Sequence, residues 1–375
     1  MRRVAGKRVI LAGGHGPTKE PVEQATRPRT NGPRHASNSA LALMKILILD
    51  DYQDLVRHLD CYARLHGHDV RVLTAPAAGV GQLAVRLRDA EALVLTRERT
   101  RITEGLLARL PNLRLISQTG KAGAHIDIDA CTRRGIAVAE GAGYSPATAE
   151  FTWLLILAAM RRLPAYMANL YAGVWQQSVP APPDWPLAGL GVALTGKTLG
   201  VWSYGKIGAL VAGYGKAFGM RVLVHGSEAA RTRAEADGHA TTAHREELFE
   251  QADVLTLHLR LADSTRGAVT ARAQGRMRRT ALFVNTRRAE LVAPGALVDA
   301  LRRGRPGMAA VDVYEREPVR DEALLTLPNV VATPHLGFVE RTSYETLFGG
   351  AFDNVVAFAA GHPRNVVNAA ALAAR

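Results

Sequence analysis

The chain contains 375 residues, which is more than one typical hydrophobic core accommodates, so its length predicts two domains. Its composition of 47% hydrophobic and 22% charged residues is typical of a globular protein and excludes a chain that is disordered throughout. The formal net charge is +13, of which residues 1–43 supply +6, with eight Lys/Arg against two Glu. The remaining positive charge is spread along the chain and forms no basic patch interleaved with aromatic residues, so nucleic-acid binding is not expected.

The cysteines and the apolar segments indicate the redox environment of the protein and whether it crosses a membrane. Only Cys61 and Cys131 occur, and neither stands in a metal-ligand spacing. The sequence therefore predicts a reducing, cytoplasmic environment without disulfides and without a metal site. The longest apolar stretch, Phe151–Met160, has ten residues and is too short to span a bilayer. We interpret it as a buried helix and expect no membrane partner.

Residues 1–43 differ in composition from the rest of the chain. They are rich in Gly, Pro, Arg, Asn and Thr and show no sustained apolar period, as is typical of disordered segments. Met44 then opens a strand-like run. We interpret residues 1–43 as a disordered basic tail or a misassigned start. A signal peptide is not expected, because no apolar stretch leads to a small-residue cleavage site.

From Met44 onward, short apolar runs alternate with helical patterns such as Gln53–Leu65, which indicates parallel α/β units. The first series has five candidate strands: Ile46–Leu49, Asp69–Leu73, Ala92–Leu95, Leu113–Ser117 and Ile136–Ala139. A long helical pattern then begins at Pro146 and leads to a loop rich in Pro, Trp and Gly at Val179–Gly196. The second series has six candidate strands: Thr198–Trp202, Arg221–Val224, Val254–His258, Ala281–Asn285, Met308–Asp312 and Val330–Thr333. Six strands are what a full dinucleotide-binding sheet requires.

These patterns predict an α/β fold with two Rossmann-like, doubly wound parallel-sheet domains and an active-site cleft between them. We assign residues 44–145 and 336–375 to a substrate (catalytic) domain. We assign residues 146–335 to a dinucleotide-binding Rossmann domain.

A glycine-containing turn follows the first strand of the second series. It reads Ser203-Tyr204-Gly205-Lys206-Ile207-Gly208 and precedes the helical pattern Ala209–Phe218. In a Rossmann turn the glycines let backbone N–H groups approach the pyrophosphate, and the next helix supplies its N-terminal dipole. Serine replaces the first of the three glycines. We predict that these six residues bind a nicotinamide cofactor.

The end of the second strand in this series bears on the choice of cofactor. An Asp or Glu there usually bonds the adenosine ribose of NAD, but the chain has Gly226, with Ser227 and Glu228 following. Arg231 and Arg233 come next and offer positive charge to a 2′-phosphate instead. The sequence leaves the choice open. We favour NAD(H), assign Ser227 and Glu228 to the cofactor, and keep NADP(H) as the alternative.

Three later segments carry an arginine, a carboxylate and a histidine. They are Asn285-Thr286-Arg287-Arg288-Ala289, Asp312-Val313-Tyr314-Glu315-Arg316-Glu317-Pro318 and Pro334-His335-Leu336-Gly337. Their order and separation, and the glycine turn before them, resemble the D-2-hydroxyacid dehydrogenases, which include phosphoglycerate and hydroxypyruvate/glyoxylate relatives. The resemblance covers nearly all of the chain from Met44 to about Val367.

This resemblance implies an enzyme that interconverts a small 2-oxo acid and a D-2-hydroxy acid by hydride transfer to or from a nicotinamide cofactor. His335 would exchange a proton with the substrate oxygen, and Glu317 would hold its imidazolium. Arg288 would bind the substrate carboxylate and polarise the carbonyl. Arg287 stands where the family prefers a small residue.

The resemblance also implies further contacts with cofactor and partner. The aspartate that matches Asp312 contacts the nicotinamide amide in such relatives, so we assign Asp312 to the cofactor, together with His258 and Thr286. A homodimer formed largely through the cofactor domain is also implied.

The loop Thr119–Asp127 resembles the family's substrate loop, whose backbone N–H groups bind the substrate carboxylate. We therefore assign Gly120, Lys121 and Ala122 to the substrate. Lys121 also resembles phosphite dehydrogenases, so another oxyanion as hydride donor is one alternative. A non-catalytic NAD(H)-sensing corepressor-like protein is a second alternative. Formate is disfavoured, because formate dehydrogenases of this superfamily carry glutamine where this chain has Glu317.

Overall fold

The computed structural model describes residues 43–176, 190–320 and 323–373. The predicted tail, apart from its last residue, and most of the predicted loop Val179–Gly196 therefore lie outside the described residues. The described residues contain two fully parallel sheets, each in its own α/β domain. The predicted fold class is confirmed.

The first sheet has five strands in the order β2-β1-β3-β4-β5. These strands are β1 Lys45–Ile48, β2 Asp69–Val72, β3 Ala92–Leu95, β4 Leu115–Gln118 and β5 Ala137–Ala139. The helices among them are α1 Val80–Leu87, α2 Glu104–Leu107 and α3 Ile128–Arg133. All five predicted strands are confirmed, with their ends shifted by up to two residues.

The amphipathic stretch Gln53–Leu65 is not one α-helix, as the pattern predicted, but two short 3₁₀ helices, Val56–His58 and Asp60–Leu65. The backbone N–H groups of Asp60 and Cys61 donate to the carboxylate of Glu345, at 2.6 and 3.0 Å. A distant side chain therefore satisfies donors that an α-helix would pair internally.

The second sheet has seven strands in the order β12-β11-β10-β9-β6-β7-β8. These strands are β6 Thr198–Trp202, β7 Arg221–His225, β8 Ala240–Thr242, β9 Val254–Leu257, β10 Leu282–Asn285, β11 Met308–Val311 and β12 Val330–Ala332. The six predicted strands are confirmed. The seventh, β8, was not predicted, because three partly polar residues at the edge of a sheet give no clear periodicity.

Helices cover this sheet on both faces. They are α4 Ser145–Met160, α6 Lys206–Ala217, α7 Glu228–Ala236, α8 Arg245–Gln251, α9 Ala271–Gln274 and α10 Ala296–Arg302, with 3₁₀ turns at Ala289–Leu291 and Ala323–Thr326. Helix α5, Leu163–Tyr171, follows α4 and has no buried residue among those described. Phe151–Met160 lies in α4, which packs into the core formed with α6 and β6, as expected of a buried helix. Among the described helices, none combines the length and the apolar character needed to cross a membrane.

The chain returns to the first sheet after completing the second. Helix α11, Arg341–Ala359, buries Phe348 and Phe352 in one core with Met44 and Ile46, and α12 Ala370–Ala373 ends the described chain. Burial of a Phe side chain contributes roughly 2–3 kcal/mol, so α11 is anchored firmly. The loop between β12 and α11, which carries His335, therefore runs from one sheet to the other.

The strand order of the second sheet reverses at β6, which lies between β7 and β9. In open parallel sheets, ligands bind in the crevice at the carboxyl ends of the strands at such a reversal. The predicted cofactor turn follows β6, and the arginine segment follows β10 at the same edge.

Candidate active site

His335 and Glu317 form a hydrogen-bonded pair. Nδ1 of His335 lies 2.6 Å from Oε2 of Glu317, and the backbone N–H of Tyr314 donates to Oε1 at 3.0 Å. An ionised carboxylate only accepts hydrogen bonds, so Nδ1 carries the proton and donates it. The second ring nitrogen, Nε2, is thereby left as the atom that meets a substrate.

The ionisation of Glu317 is set by two opposing effects. Burial raises its pKa, but the hydrogen bond and charge of His335, the N–H of Tyr314 and the charge of Arg288 outweigh burial, so the pKa lies below its usual value. The carboxylate is therefore charged at neutral pH. It can stabilise a positive charge on the imidazole ring.

The loop that carries His335 is held by Asp312, which is fully buried at the end of β11. Its carboxylate accepts hydrogen bonds from the hydroxyl of Thr333 at 2.7 Å and from the backbone N–H groups of Leu336 at 2.7 Å and Gly337 at 2.8 Å. Burial raises the pKa of Asp312, while these donors oppose that rise. Its observed contacts therefore hold the loop in place, and the contact with nicotinamide stays a prediction.

The two adjacent arginines diverge because Asn285 fixes the backbone between them. Its Oδ1 accepts the N–H of Arg287 at 3.0 Å, and its Nδ2 donates to the carbonyl of Arg288 at 2.9 Å. Nε of Arg287 donates to the carbonyl of Leu259 at 3.1 Å. Arg288 instead pairs with Glu98, and its charge helps to lower the pKa of Glu317. The charge of Arg288 thus acts on Glu317, the hydrogen-bond partner of His335.

Residues of the segment after β3 also reach this region, and the sequence interpretation missed them. The guanidinium groups of Arg97 and Arg99 lie 5.6 and 5.3 Å from the ring centre of Phe338, which meets the His335 ring edge-on at 5.5 Å. A cluster of charged residues directly after a wholly apolar strand was the available signal, since the carboxyl ends of parallel strands carry ligands.

The predicted substrate loop contacts the carboxylate of Glu140. The ammonium of Lys121 pairs with Glu140 and is 75% exposed, and the backbone N–H of Ala122 donates to the same carboxylate at 3.1 Å. Gly120 adopts a φ of 91° with the guanidinium of Arg97 against it, so a side chain is excluded there. The N–H of Ala122 is therefore not available to a substrate unless Glu140 moves.

The turn after β6 fits the pyrophosphate of a dinucleotide. Ser203 has a φ of 81°, and a Cβ on Gly208 would collide with the Ser203 carbonyl oxygen, so close packing of turn and helix requires glycine there. Gly205, by contrast, faces open space at the N-terminus of the 12-residue helix α6, which starts at Lys206 and Ile207. Space and exposed N–H groups at a helix N-terminus are what a phosphate needs.

Several side chains of the predicted cofactor set are hydrogen-bonded within the protein. Tyr204 is buried, and its hydroxyl donates to Asp237 at 2.6 Å, so only its backbone belongs to the turn. His258 is buried with Nε2 3.1 Å from the hydroxyl of Thr256, and burial lowers its pKa to about 3. It therefore stays neutral near pH 7. Thr286 is buried after β10, and its hydroxyl lies 2.7 Å from the hydroxyl of Thr152.

Gly226 stands at the end of β7, where the sequence pattern expected a carboxylate. A Cβ on Gly226 would lie 3.3 Å from the Cβ of Ala230, a tight contact, and 3.5 Å from the backbone of Ser203, so little spare room surrounds this position. Ser227 caps α7 by accepting the N–H of Ala230, and Glu228 lies exposed in the first turn of that helix. A hollow of about 480 Å³ adjoins this region, lined by Tyr204, Gly205, Lys206, Ala209, Arg233, Ala236 and Asp237.

Comparison with known proteins agrees with this fold. The sequence profile of the D-isomer specific 2-hydroxyacid dehydrogenase NAD binding domain matches residues 153–337. Glyoxylate reductase of Aeropyrum pernix is 40% identical over 290 residues, which are 76% of this chain and 85% of that protein.

Two solved structures are also similar. A putative D-3-phosphoglycerate dehydrogenase from Ralstonia solanacearum matches with a TM-score of 0.85 and 53% identity, over 88% of this chain and 98% of its own. A phosphoglycerate oxidoreductase from Vibrio cholerae matches with a TM-score of 0.81 and 53% identity, over 85% of this chain and 100% of its own.

The fold and these matches define an oxidoreductase that uses a nicotinamide cofactor. The chain belongs to the D-isomer specific 2-hydroxyacid dehydrogenase family, as its motifs predicted.

Proposed function

We propose that this protein interconverts a small 2-oxo acid and a D-2-hydroxy acid, with His335 as the acid and base. The observation that carries the proposal is the 2.6 Å bond between Nδ1 of His335 and Glu317, which leaves Nε2 for the substrate. Arg288 lies near enough for its charge to act on Glu317. An acid, its counter-ion and a carboxylate receptor are the groups that this reduction requires.

The roles follow from these positions. The nicotinamide, when bound, supplies or accepts the hydride at C2 of the substrate. In reduction, Nε2–H of His335 donates its proton to the C2 oxygen, and the charged Glu317 stabilises the imidazolium before the transfer. Arg288 binds the substrate carboxylate through its N–H groups and polarises the carbonyl. In oxidation, neutral His335 takes the proton back.

We propose the predicted division into a substrate domain, 44–145 and 336–375, and a cofactor domain, 146–335, with the substrate in the cleft. The packing of α11 on the first sheet and of α4 on the second supports this division. Closure of the cleft would exclude water from hydride transfer.

For the cofactor we propose NAD(H) over NADP(H). Nη1 of Arg231 donates to the carbonyl of Gly226 at 2.7 Å, and Nη2 of Arg233 donates to the carbonyl of Tyr204 at 3.0 Å. Each of the two arginines that would meet a 2′-phosphate thus commits one N–H group to the backbone, which restricts the reorientation of its guanidinium toward a phosphate. A ratio of kcat/KM for NADH over NADPH above one supports this choice, and a ratio below one contradicts it.

We also propose a homodimer in which α5 and the residues after it pack against a second copy. The described residues of α5 include none that is buried, and the segment exposes large apolar side chains: Leu163, Met167, Leu170, Tyr171 and Trp175. Contiguous apolar surface of this kind is typical of an interface. Light scattering after size-exclusion chromatography tests it, and a monomeric mass would contradict it.

The structure gives little support to the two alternatives, an oxyanion dehydrogenase and an NAD(H)-sensing corepressor. The oxyanion alternative depended on Lys121, which is mostly exposed and paired with Glu140. The corepressor alternative does not require an assembled acid–base pair, whereas His335 and Glu317 are bonded to one another. We therefore retain 2-oxo acid reduction as the single proposal.

Initial rates of NADH and NADPH oxidation with glyoxylate, hydroxypyruvate and pyruvate test this function. We expect turnover with at least one acid and its loss in His335→Ala. Oxidation of neither cofactor with any of the three would overturn the proposal.

A further inference from the structure

Glu98 makes a two-point ion pair with Arg288, the proposed receptor of the substrate carboxylate. Oε2 accepts from Nε at 3.1 Å, and Oε1 accepts from Nη2 at 2.5 Å. The two residues come from different sheets, since Glu98 follows β3 and Arg288 follows β10. The side chains are 40% and 18% exposed, so the pair is partly shielded from solvent.

The remaining donors of Arg288 can be counted. A guanidinium has five N–H groups, one on Nε and two on each Nη. Glu98 takes one from Nε and one from Nη2, and the carbonyl of Arg287 takes one from Nη1 at 2.6 Å. Among the described residues, no further acceptor contacts this guanidinium. One N–H on each Nη is therefore left, which is the pair that an incoming carboxylate can engage at two points.

The charge around Glu98 is strongly positive. Burial and then the charge of Arg288 lower the pKa of Arg97 to about 10, while Glu98 opposes both effects. Burial and Arg288 likewise lower the pKa of Arg287, and Glu98 again opposes them. Nε of Arg97 is buried without a partner among the described residues. Glu98 is therefore the counter-ion of three clustered arginines.

We propose that Glu98 is a positioning and charge-selecting residue: it orients Arg288 toward the substrate carboxylate, and its own charge disfavours a second anionic group on the substrate. This inference rests on the proposed role of Arg288. The pairing fixes the guanidinium plane, and the remaining N–H groups then face one carboxylate. A second negative group near Arg288 meets repulsion from a carboxylate in a partly desolvated site, where such repulsion is strong.

The inference is tested by calorimetric binding of oxamate and oxalate to the protein saturated with NADH. The two acids have nearly the same shape, but oxamate carries one negative charge and oxalate carries two. Glu98→Gln keeps the shape of the side chain and removes its charge, whereas Glu98→Asp keeps the charge. Glu104→Gln is the matched control, because Glu104 pairs with Arg133 at 3.2 Å on the exposed side of the same domain.

We expect Glu98→Gln to weaken oxamate binding about tenfold and to raise the preference for oxalate over oxamate at least about fivefold. Glu98→Asp should keep the wild-type charge preference, and Glu104→Gln should match wild type. The Kd for NADH, measured by its fluorescence, should be unchanged in all three. Tighter oxamate binding in Glu98→Gln would overturn the inference, because Glu98 would then compete with the substrate for Arg288. Equal changes in the Kd values of oxamate and oxalate would also overturn the inference.

Binding is measured without turnover, so the two proposals fail separately. A wild-type protein that reduces no 2-oxo acid contradicts the proposed function, whatever the binding data. Turnover in wild type with no change of charge preference in Glu98→Gln contradicts only the role of Glu98. With active enzyme, the KM for glyoxylate should rise in Glu98→Gln by a larger factor than kcat falls, as expected of an effect mainly on binding.

Discussion

The carboxylate of Asp312 accepts the backbone N–H of Gly337 at 2.8 Å, which joins the end of β11 to the loop that carries His335. The same carboxylate accepts the N–H of Leu336 at 2.7 Å. The Asp312 carboxylate accepts from two backbone N–H groups and one hydroxyl. An amide at this position has only one acceptor oxygen, so it would leave one of these buried donors unpaired. The position of His335 therefore depends on the charge and shape of Asp312.

We expect Asp312→Asn to lower kcat by about tenfold or more, because an unpaired buried N–H costs roughly 1–3 kcal/mol and the loop shifts to relieve it. The Kd for NADH should stay within about threefold of wild type. Thr333→Val removes one donor and leaves the carboxylate intact, so its effect should be smaller. A weaker Kd for NADH with unchanged kcat would instead support the cofactor contact predicted from the sequence.

Replacement of His335 by Ala or Gln should lower kcat by about 10²–10⁴-fold, which is the range that a positioned acid contributes. The affinity for cofactor should be nearly intact, because the ring contacts Glu317 and Phe338 and not the turn after β6. Rapid-mixing rates and NADH fluorescence titration measure the two effects separately. Substantial turnover in His335→Gln would show that another group moves the proton.

Arg288→Ala should chiefly impair substrate use, with a fall in kcat/KM of about a hundredfold or more, as expected for loss of a charge-assisted bidentate contact. Arg287→Ala should be milder, since its Nε donates to the carbonyl of Leu259. Steady-state kinetics with one 2-oxo acid compares them directly. If Arg287→Ala is the more damaging variant, the assignment within Asn285–Ala289 is wrong by one residue.

Glycines in and after the turn should respond differently to alanine. Gly208→Ala places a Cβ against the carbonyl of Ser203, so we expect Tm to fall by several degrees, as for an overpacked site of about 1–3 kcal/mol. Gly205→Ala meets no protein atom within 4 Å, so Tm should hold while the Kd for NADH weakens about tenfold or more. Gly213→Ala on the same helix is the control, with Tm unchanged or raised. A stable, cofactor-binding Gly208→Ala would contradict this packing.

Much of the fold was predictable, because parallel strands that are buried on both faces give short apolar runs separated by helical periods. Lys45–Ile48 and Thr198–Trp202 are examples. The segment Gln53–Leu65 was misjudged because Glu345, almost three hundred residues away, satisfies its backbone. Sequence periodicity contains no information about such a partner. The edge strand Ala240–Thr242 was too short to show a period.

The candidate site likewise contains residues that the sequence predicted and residues that it did not. The resemblance of three segments to the motifs of D-2-hydroxyacid dehydrogenases identified His335, Glu317 and Arg288 as candidates, and their residue types suit the chemistry. Glu98 was missed, since its partner Arg288 is 190 positions away and belongs to the other sheet. The pairing of Lys121 with Glu140 was also missed, because the two residues follow neighbouring strands of the first sheet and lie 19 positions apart in the chain. Contacts between separate parallel-sheet units follow from tertiary packing, which local pattern does not encode.

The most direct test of the account is the configuration of the product. Purified protein is incubated with NADH or NADPH and with hydroxypyruvate or pyruvate, and the 2-hydroxy acid is resolved by chiral chromatography. We expect the D-enantiomer to accumulate in proportion to the cofactor consumed and His335→Ala to form almost none. Accumulation of the L-enantiomer, or no product with either acid and either cofactor, would contradict it.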